Sequence, residues 1–169
     1  MSTQVERQWE ALMRRASGLN VPQSQLLATF CASLFTKIYL EFCEANAWIH
    51  ANQFQEILAK LWAGYRDHHI ESAARVLTPD VDAFEAVEAS YACNAGIVLG
   101  LASATEPDAS ECVQYVWSTA DLMSDFRPEI RQEAVSTIEE AIQIVTASEV
   151  EALAELKKLA EQSQLRATS

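Results

Sequence analysis

The sequence predicts an all-α fold, a single compact bundle of about six or seven helices, and three observations predict it. Gly and Pro together number eight in 169 residues, too few for turn-rich β architecture. Alanine, the best helix former, occurs 27 times. No stretch alternates apolar and polar residues with period two over a useful length, whereas apolar residues recur at helical spacing in many places. Half of the chain is hydrophobic, enough for one packed core, and its length fits a single domain over residues 1–169.

The N-terminal helix occupies residues 1–18 and runs from about Thr3 to Ala16. Thr3 with Glu6 forms a capping-box pattern, and Gly18 follows as a stop. A long second helix extends from Pro22 to Asn46. Leu26, Phe30, Leu34, Ile38 and Phe42 recur every four residues, with Leu27, Cys31, Phe35 and Tyr39 beside them. Two adjacent apolar rows predict a broad buried stripe touched by several neighbours. In the third helix, Ala51 to Asp67, one face collects Phe54, Ile57, Leu58, Leu61, Trp62 and Tyr65.

Residues 70–80 read as the clearest break. Thr78 as N-cap and Pro79 at the first position predict a fourth helix from Pro79 to Ala104. There Phe84, Val87, Tyr91, Val98 and Leu101 lie among alanines and glycines. Small residues allow close approach, so this helix is expected at the centre. Asp108 with Glu111 caps a fifth helix ending near Ser124, with Val113, Val116, Trp117, Ala120 and Met123 inward. Pro128 opens the C-terminal helices, residues 128–162, where Ile130, Ala134, Ile138, Ala141 and Val145 share a face. Ser148 with Glu151 either caps a seventh helix or marks a bend. Residues 163–169 are expected to fray.

Charge narrows the function classes. The chain carries 24 acidic and 12 basic residues, a net charge of −12. Without clustered Lys and Arg, neither nucleic acid nor an anionic membrane surface is an expected partner. Arg14 and Arg15 precede no apolar signal core. The uncharged stretches 21–36 and 89–105 are short for a spanning helix and read as buried. Cys31, Cys43, Cys93 and Cys112 lack C-x-x-C spacing, and the expected compartment is the reducing cytoplasm.

Acidity is concentrated. Residues 76–126 contain no Lys or Arg but nine acids: Asp80, Asp82, Glu85, Glu88, Glu106, Asp108, Glu111, Asp121 and Asp125. A cation site or an electrostatic steering surface would use such a window. Helix capping explains it more simply, because Asp80, Asp82, Glu106, Asp108 and Glu111 crowd predicted first turns. Glu85-x-x-Glu88 and Asp121-x-x-x-Asp125 look like the Mg²⁺-binding carboxylate pairs of all-α nucleotide pyrophosphohydrolases. No basic residue lies nearby in sequence to hold a phosphate.

Other constellations are sparser. His68 and Glu71 stand at metal-ligand spacing, but His68 and His69 equally suit a helix C-terminus. His50 is isolated, and no Glu-x-x-His pair signals a di-iron bundle. Neither a nucleophile elbow nor a phosphate-binding glycine loop occurs. Asn94, among apolar neighbours, either satisfies a neighbouring backbone group, the simpler reading, or contacts a ligand. Trp9, Trp48, Trp62 and Trp117 supply core volume.

Leu26-Leu27, Phe30-Cys31, Tyr39 and Phe42-Cys43, followed by Leu58 and Leu61-Trp62, resemble the opening helices of the YjaG-like bacterial proteins, a domain of unknown function. Pro79-Asp80-Val81-Asp82-Ala83-Phe84 and Tyr91-Ala92-Cys93-Asn94-Ala95 resemble that family's central helix and its acidic lead-in. The resemblance covers residues 22–125, with a looser echo in the final helices. The chain departs from it at Ala45-Asn46-Ala47-Trp48, where glycines are expected, and in a short connection between Met123 and Pro128. The resemblance implies a compact, cytoplasmic, all-helical bacterial protein and transfers no catalytic residue.

The expected function is therefore a non-catalytic protein-interaction or self-associating module, with a second copy or another protein as partner. No cofactor and no metal is expected, and the catalytic residues of any reaction are unknown. Two alternatives stand beside it. One is a Mg²⁺-dependent phosphohydrolase acting through Glu85, Glu88, Asp121 and Asp125. The other is a small-ligand carrier with a pocket beside Asn94 and Tyr91.

Overall fold

Local capping signals start four of the helices. In a computed structural model describing residues 3–84 and 86–166, Thr3 and Glu6 cap α1, Gln4–Ser17, by exchanging side-chain-to-backbone hydrogen bonds. Asn20 and Gln23 do the same for α2, Val21–Ser33. Asp67 accepts from the Ile70 amide at 2.8 Å to open α5, His68–Arg75. Asp108 accepts from the Glu111 amide to open α7, Ala109–Met123. The remaining helices are α3, Thr36–Asn46; α4, Ala51–Trp62; α6, Glu88–Ala102; α8, Ile130–Ala147; and α9, Glu149–Gln162. A 3-10 turn covers Val81–Ala83, and no strand occurs among the described residues. The fold is all-α, as predicted.

Two helices occupy the middle. Residues 27–35 are all buried, because α2 and the turn after it are enclosed by α4, α6, α7, α8 and α9. On its other flank α6 meets α3, α4 and α5, so it too is covered on several sides. The paired apolar rows and the small-residue helix thus serve one core running from Trp9 to Leu165. Helix Val21–Asn46 is long and apolar enough to cross a bilayer, but 72% of its most apolar window is buried against its neighbours. Outside this centre, α1 lies on α7 and α8, where Trp9 stacks on Trp117 at 4.9 Å between centroids.

The expected continuous helix over 22–46 is interrupted at Leu34–Phe35. The Leu34 amide is shared between the Phe30 and Cys31 carbonyls, and the Phe35 amide bonds three residues back, to Ala32. Ser33 and Thr36 hydroxyls donate to the Phe30 and Ser33 carbonyls, a pattern that bends helices. A distant side chain completes the interruption. Gln164 Nε2 donates to the Ser33 carbonyl at 2.7 Å, and its Oε1 accepts from the Lys37 amide at 3.0 Å. Those two groups would otherwise bond each other within the helix.

The same contact corrects the expectation of a frayed C-terminus for residues 163–166. Leu165 is buried and its amide donates to the Leu34 carbonyl at 3.0 Å. Arg127 donates to the Arg166 carbonyl at 2.7 Å while pairing with Glu129 and Glu133. An apolar anchor and four backbone-directed bonds hold the tail. Residues 167–169 lie outside the described residues.

Two further boundaries differ from the sequence reading. The helix expected over Ala51–Asp67 stops at Trp62, because Gly64 adopts φ +88° and reverses the chain. Tyr65, expected inward, is consequently 66% exposed. The expected break at 70–80 begins instead with α5, so His68 and His69 occupy a helix N-terminus rather than a C-terminus. The helix expected from Pro79 begins only at Glu88. Thr78 presses on Gly96, where an added Cβ would lie 2.5 Å from Thr78 Oγ1. A helix running from Pro79 would carry Gly96 roughly 27 Å away from Thr78, so the two arrangements exclude each other. Asp80 caps the 3-10 turn instead.

Polar staples join these pieces. Arg66 Nη2 donates to Thr29 Oγ1 at 2.6 Å and to the Gln25 carbonyl at 3.0 Å, and Nε donates to the Ala102 carbonyl at 3.2 Å. One half-buried guanidinium thereby ties α2 to the end of α6. Tyr39 Oη donates to the Leu77 carbonyl at 2.6 Å and accepts from Trp48 Nε1 at 3.0 Å, tying α3 to the segment before the 3-10 turn. At the expected glycine turn, Ala47 adopts the left-handed conformation with φ 52°.

Candidate functional site

Tyr91 sits in the first turns of α6, 1% exposed, and its hydroxyl has no hydrogen-bond partner among the described residues. Leaving a buried phenol unpaired costs free energy, so such a group calls for an explanation. Trp9 Nε1 and His50 Nδ1 are also unpaired. Tyr91, in addition, lines a cleft of about 430 Å³. That volume is in the range of small-molecule sites.

Four elements build the cleft. Helix α3 contributes Lys37, Ile38, Glu41, Phe42 and Asn46 along its length, and the start of α6 contributes Glu88 and Tyr91. Met123 comes from the end of α7, and Arg166 from the docked tail. Ile38, Phe42 and Met123 are buried and supply an apolar floor. Charged side chains of both signs stand around it. Lys37 and Glu41 approach only to 3.9 Å and are 43% and 65% exposed, a loose surface pair. Asn46 Nδ2 donates to the Phe42 carbonyl at 3.1 Å, leaving its carbonyl oxygen available.

Burial pushes the Tyr91 phenol above its ordinary pKa, and the charges of Glu88 and Asp125 push it further. The hydroxyl is therefore protonated near neutrality and sits toward the acidic side of the cleft. It can donate one hydrogen bond and accept others.

The acids singled out in the sequence separate. Glu88 lines the cleft and Asp125 acts on the same phenol, so one member of each predicted pair comes to this region. Asp121 is drawn instead to Arg131 at 3.4 Å. Glu85 lies outside the described residues. Among the described residues no three His, Cys, Asp or Glu side chains gather where they could hold a metal ion. Asp80 and Asp108 serve as caps, as the capping reading has it.

Asn94 leaves the pocket expected beside it and Tyr91. Its Nδ2 donates to Thr119 Oγ1 at 2.9 Å, joining α6 to α7. Glu71 is committed to Arg75 at 2.9 Å rather than to His68. His50 stands edge-on to Trp48 at 5.1 Å. Lys37, Glu41, Asn46 and Arg166 were not singled out from the sequence. Lys37 and Glu41 did carry a signal, as charges interrupting a long apolar helix; Arg166 carried none.

No protein-family model matches the chain, and no curated protein does. The fold is similar to that of a crystallised DUF416 family protein from Shewanella baltica OS155, with a TM-score of 0.60 at 20% identity over 92% of this chain and 87% of that one. At that identity the likeness shows the fold, one shared with a protein from a family of unknown function.

Proposed function

We propose that this protein is a binding domain for a small polar molecule held in the Tyr91 cleft. One observation carries the reading: Tyr91, whose buried hydroxyl has no partner among the described residues, belongs to the lining of a cleft with an apolar floor. A ligand accepting or donating there would offset the cost of burying that group. The four free cysteines accompany a reducing, cytoplasmic setting in this proposal. The YjaG-like kinship belongs to it as well, supported by the shared fold. Thermal-shift measurement against a panel of metabolites tests the reading. At 100 times its dissociation constant a ligand adds about 2.7 kcal/mol to stability. At least one compound should therefore raise the melting temperature of the native protein and fail to raise that of Tyr91→Phe. A uniformly flat panel would count against it.

Self-association is the second reading. Most apolar helix face goes into the core. The remaining support for self-association is the exposed pair Leu122 and Phe126 near the end of α7, 41% and 63% accessible. Light scattering at micromolar concentration tests it, and a monomer mass would remove it.

A further inference from the structure

The charges around the Tyr91 cleft narrow the ligand class. Glu88 forms no ion pair among the described residues, although Lys37 and Arg166 line the same cleft. The guanidinium of Arg166 is likewise unpaired, while its carbonyl is held by Arg127. Two cationic and two anionic groups thus line the apolar floor, Lys37 loosely beside Glu41 at 3.9 Å and Glu88 and Arg166 without an ion pair among the described residues. From this arrangement we propose, resting on the small-molecule reading above, that the cleft takes an amino-acid-sized zwitterion with an apolar side chain. Its carboxylate lies toward Lys37 and Arg166 and its ammonium toward Glu88. Its apolar group covers Ile38, Phe42 and Met123, and the Tyr91 hydroxyl, on the Glu88 side, accepts from the ammonium.

A purely anionic ligand would leave Glu88 facing it with like charge, and a purely cationic one would face Lys37 and Arg166. A zwitterion meets both signs, and opposing charges held apart in one site discriminate as well as attract. The volume of about 430 Å³ leaves room for an aliphatic or aromatic side chain.

Calorimetric titration of the native protein with L-leucine, L-methionine, N-acetyl-L-leucine and L-leucinamide tests this. Binding of the two amino acids is expected, with each capped derivative at least about tenfold weaker, the usual loss of one charged hydrogen bond. Glu88→Gln should weaken leucine while leaving any residual affinity for N-acetyl-L-leucine unchanged. Lys37→Met should weaken leucine and N-acetyl-L-leucine together. Circular dichroism and melting of each variant without ligand check that it folds, and both substitutions are at exposed positions. A capped derivative binding as well as leucine overturns the zwitterion assignment and keeps the small-molecule reading. So does a metabolite of another class binding while both amino acids fail. No binding from any compound in the wider panel overturns both.

Discussion

Gln164 completes the hydrogen-bonding of Lys37, a residue 127 positions earlier in the chain. Its amide stands where an α-helical bond would run, accepting from the Lys37 backbone and donating to the Ser33 carbonyl. The bend in the long apolar helix and the position of the C-terminal tail are therefore one structural event. That event also delivers Arg166 to the Tyr91 cleft.

Gln164→Ala should leave a backbone donor and a backbone acceptor without partners. The expected loss is about 1–3 kcal/mol, measured by urea unfolding. Gln164→Glu should lose stability at neutral pH as well, because a carboxylate can accept from Lys37 but cannot donate to Ser33. Wild-type stability in either variant would show that the tail is not a structural element.

Gly96 and Gly100, one turn apart on α6, should respond with opposite signs to alanine. At Gly96 the new Cβ would meet Thr78 Oγ1 at 2.5 Å and Thr78 Cα at 2.9 Å, so backbone must move. Overpacking of this kind costs about 1–3 kcal/mol. At Gly100 nothing lies within 4 Å, and alanine should add about 0.4–1 kcal/mol through helix propensity and the unfolded state. Two melting curves decide the comparison.

Alkaline pH should destabilise the fold through its buried thiols. Burial pushes the Cys112 thiol from 9.0 up to about 12 and Cys43 up to about 11, and raises Cys31 well above its ordinary value. Above pH 9 the unfolded chain loses these protons while the folded chain keeps them. The unfolded state then binds fewer protons, so stability falls as pH rises through the window between 9 and about 11. Each thiol contributes up to about 1.4 kcal/mol per pH unit there. Urea unfolding at pH 8, 9 and 10 should show the decline, and Cys112→Ala should make it shallower.

Tyr91→Phe should make the ligand-free protein more stable, by about 1 kcal/mol, because it deletes a buried hydroxyl that has no partner. The same substitution should abolish ligand-induced stabilisation. A destabilised variant would mean that the hydroxyl is paired in solution, and the site would lose its chief support.

Helix by helix, legibility follows the range of the interaction. Thr3 with Glu6 and Asp108 with the Glu111 amide are contacts three residues apart, and they are plain in the sequence. Asp67 caps α5 by the same rule, and Gly64 with its positive φ precedes it, so this boundary too is written in local signals. Thr78 and Pro79 mislead because they match a helix start, yet Thr78 is taken up by packing on Gly96. At the cleft, Tyr91 and Glu88 lie on a helix legible from its apolar and small residues, while Arg166 lies in a segment whose composition predicts fraying.

By itself the sequence determined the all-α class, the caps at Thr3 and Asp108 and most of the buried stripes, because periodicity and capping act within about one turn. Only the tertiary structure decided the bend at Leu34–Phe35, the docking of residues 163–166 and the assembly of the Tyr91 cleft. Each of these depends on groups brought together from distant parts of the chain, and no local pattern encodes which distant group will fill a given backbone gap or leave a phenol unpaired.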